Sequence, residues 1–266
     1  MIRRILIAIS ALTTLAIPGC GTGPIGPSQP TASPLVLAAT ATPTEIIWFP
    51  PTETSAAPQA APPEPTPERR PGVGELITSD DMRTTTHWNA EVGGEAAATV
   101  SDMGLSLSAQ PGEPAVVSIH RSAVFDNMYL EVTARPNLCR DRDAYGLVFR
   151  APNDVAHYRF VVICDGTAAA ERVSLGTPRV LQPPTASADA PVGAPGEVKL
   201  GVWALGPEQR FFLNDRYQFT LSDSNYVVGG VGVFAQAGGE TPVVVTFSDF
   251  SAYRLTPSEP LASPTP

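Results

Sequence analysis

Proline is spread so unevenly along this chain that it decides which part can fold: 13 of the 29 prolines fall between residues 21 and 74. Each proline removes a backbone donor and fixes φ, so a stretch this dense enters neither a helix interior nor a central strand. Thr and Ala are the commonest of its other residues. They bury too little apolar surface to offset the entropy of ordering. Neither a 3.6 nor a 2.0 period is visible from Gly21 to Gly74, so this part is expected to be a disordered stalk reaching roughly 40 Å as a flexible coil. The tail from Thr256 to Pro266 (TPSEPLASPTP) reads the same way. What remains, 75–255, is about 180 residues, a comfortable size for one domain.

Within that domain, short β-type runs alternate with turn residues. Strands are expected over Ala97–Val100, Leu105–Ala109, Ala115–His120, Met128–Arg135, Tyr145–Ala151 and His157–Cys164. Six more follow at Glu171–Leu175, Glu197–Leu205, Arg210–Leu213, Arg216–Leu221, Gly230–Ala235 and Val243–Leu255. Asp102-Met103-Gly104, Pro152-Asn153-Asp154, Asp165-Gly166, Gly206-Pro207 and Gly238-Gly239 punctuate them. No window carries an amphipathic helix. The expected fold is all-β, a two-sheet antiparallel sandwich. The segment Gln182–Pro195 is Pro/Ala-rich and is expected to be a mobile surface insertion.

The two strands around Pro152–Asp154 predict a hairpin. With Arg150 opposite His157, Phe149 faces Tyr158 and Leu147 faces Phe160, giving one apolar surface. Val148, Arg150, His157 and Arg159 then share the opposite face, and a slip of one residue would ruin both. Cys139 precedes this hairpin and Cys164 ends it, opposite Asp143 in the same register. In an exported chain the pair reads as a disulfide, worth about 3 kcal/mol. Two free thiols or a metal site are the alternatives, and the three histidines, His87, His120 and His157, show no ligand spacing for a metal.

Export is read from the first 20 residues, MIRRILIAISALTTLAIPGC. Arg3 and Arg4 form a positive start, Ile5–Ile17 an apolar run, and small residues precede a cysteine. The match Ile17-Pro18-Gly19-Cys20 resembles the lipobox of bacterial lipoproteins, which implies acylation of Cys20. Pro18 departs from the usual small or hydroxyl residue. An ordinary cleaved signal and an uncleaved anchor are the other readings, although a run of ~13 residues is short for a membrane span. In the stalk, Ile46-Ile47-Trp48-Phe49 is an apolar patch suited to docking on a membrane interface or on the domain.

Net charge is −9, and removing a leader with two arginines and no acid makes it −11. An acidic chain whose single lysine is Lys199 lacks the clustered cations that phosphates demand, which argues against nucleic acid.

The run from Val124 to Cys164 resembles the concanavalin A-like jelly-roll superfamily, specifically its laminin G-like and 3-keto-disaccharide hydrolase-like domains. Carrying the resemblance are Phe125-Asp126, Tyr129-Leu130-Glu131-Val132, Tyr145-Gly146-Leu147-Val148-Phe149-Arg150 and Tyr158-Arg159-Phe160. Further on, Phe211-Phe212-Leu213-Asn214-Asp215 looks like the family's strand and Asn-Gly turn. Gly230-Val231-Gly232-Val233 and Phe247-Ser248-Asp249-Phe250 resemble its closing strands. These are structural glycines and core aromatics, so the resemblance implies a fold and transfers no activity.

Sugar-cleaving members of the superfamily set acids at alternate positions of one strand. Here Glu131 shares its face with Tyr129, Thr133 and Arg135, and Asp249 is alone on its strand. No Gly-x-Ser-x-Gly elbow, His-Glu-x-x-His or phosphate-cradling loop occurs. No catalytic residue is therefore assigned. The candidate ligand face is Arg150, His157 and Arg159, with Tyr129 and Glu131 from a neighbouring strand, suited to glycan hydroxyls or carboxylates; a solvated outer face is the bland alternative. Trp88 and Trp203 either stack on sugars or fill the core. No cofactor or metal ligand is assigned, though Asp80, Asp81 and Asp249 are compatible with a structural calcium.

The expectation is a lipid-anchored, extracytoplasmic, non-catalytic carbohydrate-binding module whose partners are a lipid bilayer and an envelope polysaccharide. Its rivals are a structural or protein-interaction lipoprotein without glycan affinity and a glycoside hydrolase-like enzyme.

Overall fold

The computed structural model describes residues 68–92 and 97–256. The leader with Cys20, the patch Ile46–Phe49 and the tail beyond Thr256 lie outside the described residues. Fifteen strands and no helix are found among the described residues. They are β1 (Val73–Asp80), β2 (Glu91–Val92), β3 (Ala98–Ser101), β4 (Gly104–Ala109), β5 (Val116–Phe125), β6 (Met128–Leu138), β7 (Ala144–Asn153) and β8 (Ala156–Ile163). Then come β9 (Thr167–Ser174), β10 (Thr177–Ala186), β11 (Val198–Leu205), β12 (Glu208–Leu213), β13 (Arg216–Ser222), β14 (Gly229–Gln236) and β15 (Val243–Leu255).

These strands make the expected sandwich. A large sheet of nine strands runs β13-β12-β11-β6-β15-β4-β3-β2, with β1 also paired to β15. A small sheet of six runs β10-β9-β8-β7-β14-β5. All pairs are antiparallel except the short β2–β3 contact. Alternation supplies the core. Leu130, Val132, Leu200, Val202, Phe211 and Phe247 from the large sheet meet Leu147, Phe149, Tyr158, Phe160, Val231 and Val233 from the small one, all buried.

The hairpin register holds from Leu147↔Phe160 through Phe149↔Tyr158 and then breaks, for the ladder resumes only at Asn153↔Ala156. Arg150 sits at the break with φ +47°. A bulge there takes Arg150 off the face it was expected to share with Arg159. Its guanidinium is fully buried. It donates from Nε and Nη2 to the Asp126 carbonyl (3.0 and 2.8 Å) and from Nη1 to the Gly206 carbonyl (2.7 Å). Asp126 lies in the β5–β6 turn and Gly206 in the β11–β12 turn, so one side chain ties the small sheet to the large one. The expected binding arginine is a structural strut.

Two segments read as irregular are strands. β1 begins at Val73 and pairs with β15, so the ordered domain starts earlier than its Pro-rich approach implied. β10 takes in Pro183 and Pro184, which were assigned to a mobile insertion. It is the outer strand of the small sheet and its register shifts on either side of Gln182, which is where prolines are tolerated. The turn expected at Asn214-Asp215 has φ of 49° and 65°. Cys139 and Cys164 form a disulfide with Cα atoms 5.9 Å apart, and Cys164 N–H donates to Asp143 O as the register predicted.

Replacing Arg150 by Ala should cost about 3 kcal/mol, because it strands buried carbonyls at the joint between sheets. Urea unfolding of the variant checks this; an unchanged midpoint would exclude a bracing role.

Candidate functional site

The five residues expected to form one ligand face lie in three places. Arg150 is the strut between sheets. His157 and Arg159 lie on the outer face of the small sheet, where Arg159 Nε donates to Glu171 Oε2 (2.7 Å) and its guanidinium rests 4.8 Å from the centre of the Phe234 ring. Both are nearly buried, at 2% and 5% exposure, and Val148, Val161, Ala169 and Phe234 surround them with an apolar cluster. Tyr129 and Glu131 belong to the large sheet's outer face. The proposed grouping fails for two reasons: the bulge redirects Arg150, and β6 pairs with β11 and β15, not with β7 or β8.

Around Tyr129 and Glu131 the structure assembles a different site. Cross-strand pairing sets Trp203 opposite Tyr129, Gly201 opposite Glu131 and Phe212 opposite Gly201. Gly201 lets the two aromatic side chains close in, because a Cβ at that position would meet Tyr129 Oη at 3.1 Å and Phe212 Cβ at 3.2 Å. Tyr129 donates its hydroxyl to Glu131 Oε1 (2.6 Å). The Lys199 ammonium bridges two carboxylates, at 3.3 Å from Glu131 Oε1 and 2.6 Å from Asp215 Oδ2. Asp215 reaches inward from the β12–β13 turn.

A strap, Glu68–Gly72, crosses this surface just before β1. Trp203 Nε1–H donates to the Pro71 carbonyl (2.9 Å), Arg210 Nη1 to the Arg69 carbonyl (2.8 Å) and Thr256 N–H to the Gly72 carbonyl (2.9 Å). Arg210 in turn lies 4.4 Å above the Trp203 ring. Arg70 enters the site itself. Its Nη1 donates to Tyr129 Oη and to Asp215 Oδ1, each at 2.9 Å, and its guanidinium lies 5.4 Å from both the Tyr129 and Phe212 ring centres. Two clefts flank the strap. One of about 490 Å³ is walled by Arg70, Tyr129, Glu131 and Tyr253; the other, about 400 Å³, by Arg70, Phe212, Asp215 and Tyr217.

Electrostatics follow from this packing. Burial raises the Tyr129 pKa, the bond to Glu131 adds to the rise, and Arg70 opposes it. Burial works against the charges of Arg70, Lys199 and Asp215, yet mutual pairing outweighs it: both cations are raised and Asp215 is lowered. All three stay charged at neutral pH.

Reading the sequence for this site missed Arg70, because it sits in a Pro-rich approach, and missed Lys199 and Asp215, because they are remote from Glu131 along the chain. The signal that was present is parity: Lys199, Gly201 and Trp203 alternate on one strand face. Trp88 and Trp203 are both buried, the first in the core and the second under Arg210. Asp80, Asp81 and Asp249 all line a cleft of about 560 Å³ with Ser79 and Ser251, but among the described residues the three carboxylates do not form a set of ligand atoms within 4.8 Å of one another. Both Asp80 oxygens are already bonded, Oδ1 to the Met82 N–H and Oδ2 to His87 Nδ1, and Asp249 Oδ2 accepts from the Ser248 hydroxyl, so this arrangement is not a calcium cage. His87 and His120, unpromising by spacing, approach Asp80 there, with one ligand atom from each of the three lying within 4.8 Å of the others. His120 Nδ1 accepts the Ser122 and Ala123 N–H groups, so in the neutral ring its Nε2 carries the proton and offers no lone pair to a metal.

No family model matches the chain, and no curated protein matches it. Among solved structures, the carbohydrate-binding module CBM66 from Bacillus subtilis superposes with a TM-score of 0.52 at 18% identity, covering 63% of this chain and 96% of that one. A mutant of the GH43 protein BlXynB from Bacillus licheniformis superposes at 0.50 with 13% identity, over 66% of this chain but 39% of that one. At such identity the likeness is one of fold, and it bears out the two-sheet antiparallel β-sandwich.

The buried His157 gives this fold a pH limit. Burial, then the charge of Arg159, push its pKa down to about 4. The unfolded chain takes up that proton near pH 6.5, so the contribution is complete above about pH 6.5 and fades as pH falls toward 4, by on the order of 3 kcal/mol at most. Stability of wild type and His157→Gln, measured by urea unfolding from pH 7 to 4, should diverge in slope across that window. Parallel curves would exclude it.

Proposed function

We propose that this protein is a non-catalytic carbohydrate-binding module whose ligand face is the outer surface of the large sheet around the strap. The observation that carries the reading is the pair of clefts, each joining tyrosine walls to carboxylates: Tyr129 and Tyr253 with Glu131, Tyr217 and Phe212 with Asp215. Aromatic faces take the apolar face of a pyranose, while carboxylates and tyrosine hydroxyls take its hydroxyl groups. The fold shared with a protein named as a carbohydrate-binding module supports the same reading.

The charges support a reading of binding without turnover. A glycosidase needs a protonated acid, its pKa raised, facing a second carboxylate. Glu131 and Asp215 are near neighbours, but Lys199 bridges them and Arg70 bonds Asp215, whose pKa is lowered. Asp215 held in this way accepts hydrogen bonds and donates none. The leader ending in Cys20 and the Pro-rich stretch after it place this module, in our reading, on a lipid-anchored stalk outside the cell membrane.

Isothermal titration against glycans retained on an array should show binding about tenfold weaker for the Tyr217→Ala, Tyr253→Ala double variant than for wild type. Loss of the face without loss of affinity, or retention of no glycan at all, would sink the module. For the anchor, Cys20→Ser should move the protein from the membrane fraction to the soluble one, and should abolish incorporation of labelled fatty acid.

A further inference from the structure

The strap does more than border the clefts: Arg70 occupies a seat made for a cation. Its guanidinium has aromatic rings, Tyr129 and Phe212, at equal distances of 5.4 Å. It also has a carboxylate, Asp215, at 2.9 Å and a second, Glu131, at 4.0 Å. Ring faces and carboxylates together are the two environments that favour an organic cation over water. Lys199 lies between the carboxylates and neutralises one of the two negative charges. With Arg70 in place the seat is balanced. With Arg70 withdrawn it holds one uncompensated negative charge beside two ring faces.

Withdrawal is mechanically simple. The strap is held by hydrogen bonds to backbone carbonyls at Arg69, Pro71 and Gly72; its side chains add the Arg70 bonds to Tyr129 and Asp215 and the stacking of Arg69 4.9 Å from the Tyr217 ring centre. Arg70 itself keeps part of its side chain in solvent, at 29% exposure. A ligand that carries its own cation competes for the seat on equal terms, whereas a neutral sugar leaves the negative charge unpaired when it displaces Arg70.

We propose that the seat is the specificity pocket of the glycan face, that its ligand class is an amino sugar with a free ammonium group, and that Arg70 is a built-in competitor for that group. This rests on the carbohydrate-binding reading above and narrows it. The Arg70 side chain mimics the sugar ammonium, so binding exchanges one cation for another and carries the sugar ring onto the flanking tyrosines.

The test is titration calorimetry of the full chain with glucosamine oligosaccharides, with their N-acetylated counterparts and with neutral glucan oligosaccharides. Wild type should prefer the free amine. Arg70→Ala should bind glucosamine oligomers about tenfold more tightly than wild type, while Arg70→Lys stays near the wild-type value. Asp215→Asn, with Arg70 intact, should lose the preference for the amine and keep weak binding of neutral sugar. Equal affinity for acetylated and free amines would overturn the ammonium seat while leaving the carbohydrate reading intact. So would an Arg70→Ala protein that binds no better than wild type, or tighter capture of an arginine-containing peptide than of any amino sugar. Failure of every sugar to bind would overturn the broader reading along with it.

Discussion

The sandwich depends on one buried cation. Arg150 is fully enclosed, and burial lowers its pKa from the usual arginine value, so its charge is tolerated only because carbonyl oxygens from two turns surround it. The β5–β6 turn passes from the small sheet to the large one and the β11–β12 turn lies in the large sheet, while Arg150 itself comes from β7 of the small sheet. Apolar burial between sheets is non-directional, and it sets their separation without fixing their relative slide. Three directed bonds to Asp126 and Gly206 fix that slide at one end of the sandwich. The cost is a left-handed residue in the middle of a strand, and the benefit is that the β11–β12 turn, which leads into the strand carrying Arg210 and Phe212, is held in register with the small sheet.

A second left-handed residue does similar work on β15. Val243, Val245 and Phe247 face the core, and strict alternation would then send Phe250 outward. Asp249, at φ +56°, shifts the parity between Ser248 and Ser251, so that Phe250 and Ala252 also point inward. The same shift projects the Asp249 carboxylate into the cleft with Asp80 and Asp81. Bulges of this kind explain where the sequence was legible and where it was not. Period-two alternation revealed twelve of the fifteen strands, missing β1, β2 and β10, together with the hairpin register at Leu147 and Phe149 and the disulfide beside it. It carries no mark of the residue at which alternation is broken, because neither Arg150 nor Asp249 is a glycine and each looks like an ordinary member of its strand.

The site was hidden for a related reason. Tyr129 and Glu131 were identifiable as neighbours on one face, but the groups that give them meaning come from β11, the β12–β13 turn and the strap. None of these is near in sequence. Arg70 was the least accessible of all, since composition places it in a stretch whose prolines argue for a stalk. That argument concerns burial of a core, and the strap has none: it is held by bonds from Trp203, Arg210 and Thr256 to its carbonyls. A proline-rich segment has few donors of its own but keeps every acceptor, so it can be fastened by a surface that supplies N–H groups.

That asymmetry bears on how the face is used. Apart from the Arg70 guanidinium, which gives up its bonds to Tyr129 and Asp215, a strap fastened through its main-chain acceptors is released without leaving main-chain donors unpaired. The groups it exposes are the Trp203 indole N–H, the Arg210 guanidinium and the Thr256 amide, each at the surface where water or a sugar hydroxyl replaces a carbonyl. In the proposed reading, the clefts on either side belong to a surface that binds oxygen acceptors along its rim and a cation at its centre. Carbohydrates that carry an amine offer both. In the proposed reading, the strap is the first ligand of the module, and the glycan that displaces it reproduces the same contacts with its ring oxygens, hydroxyls and ammonium group.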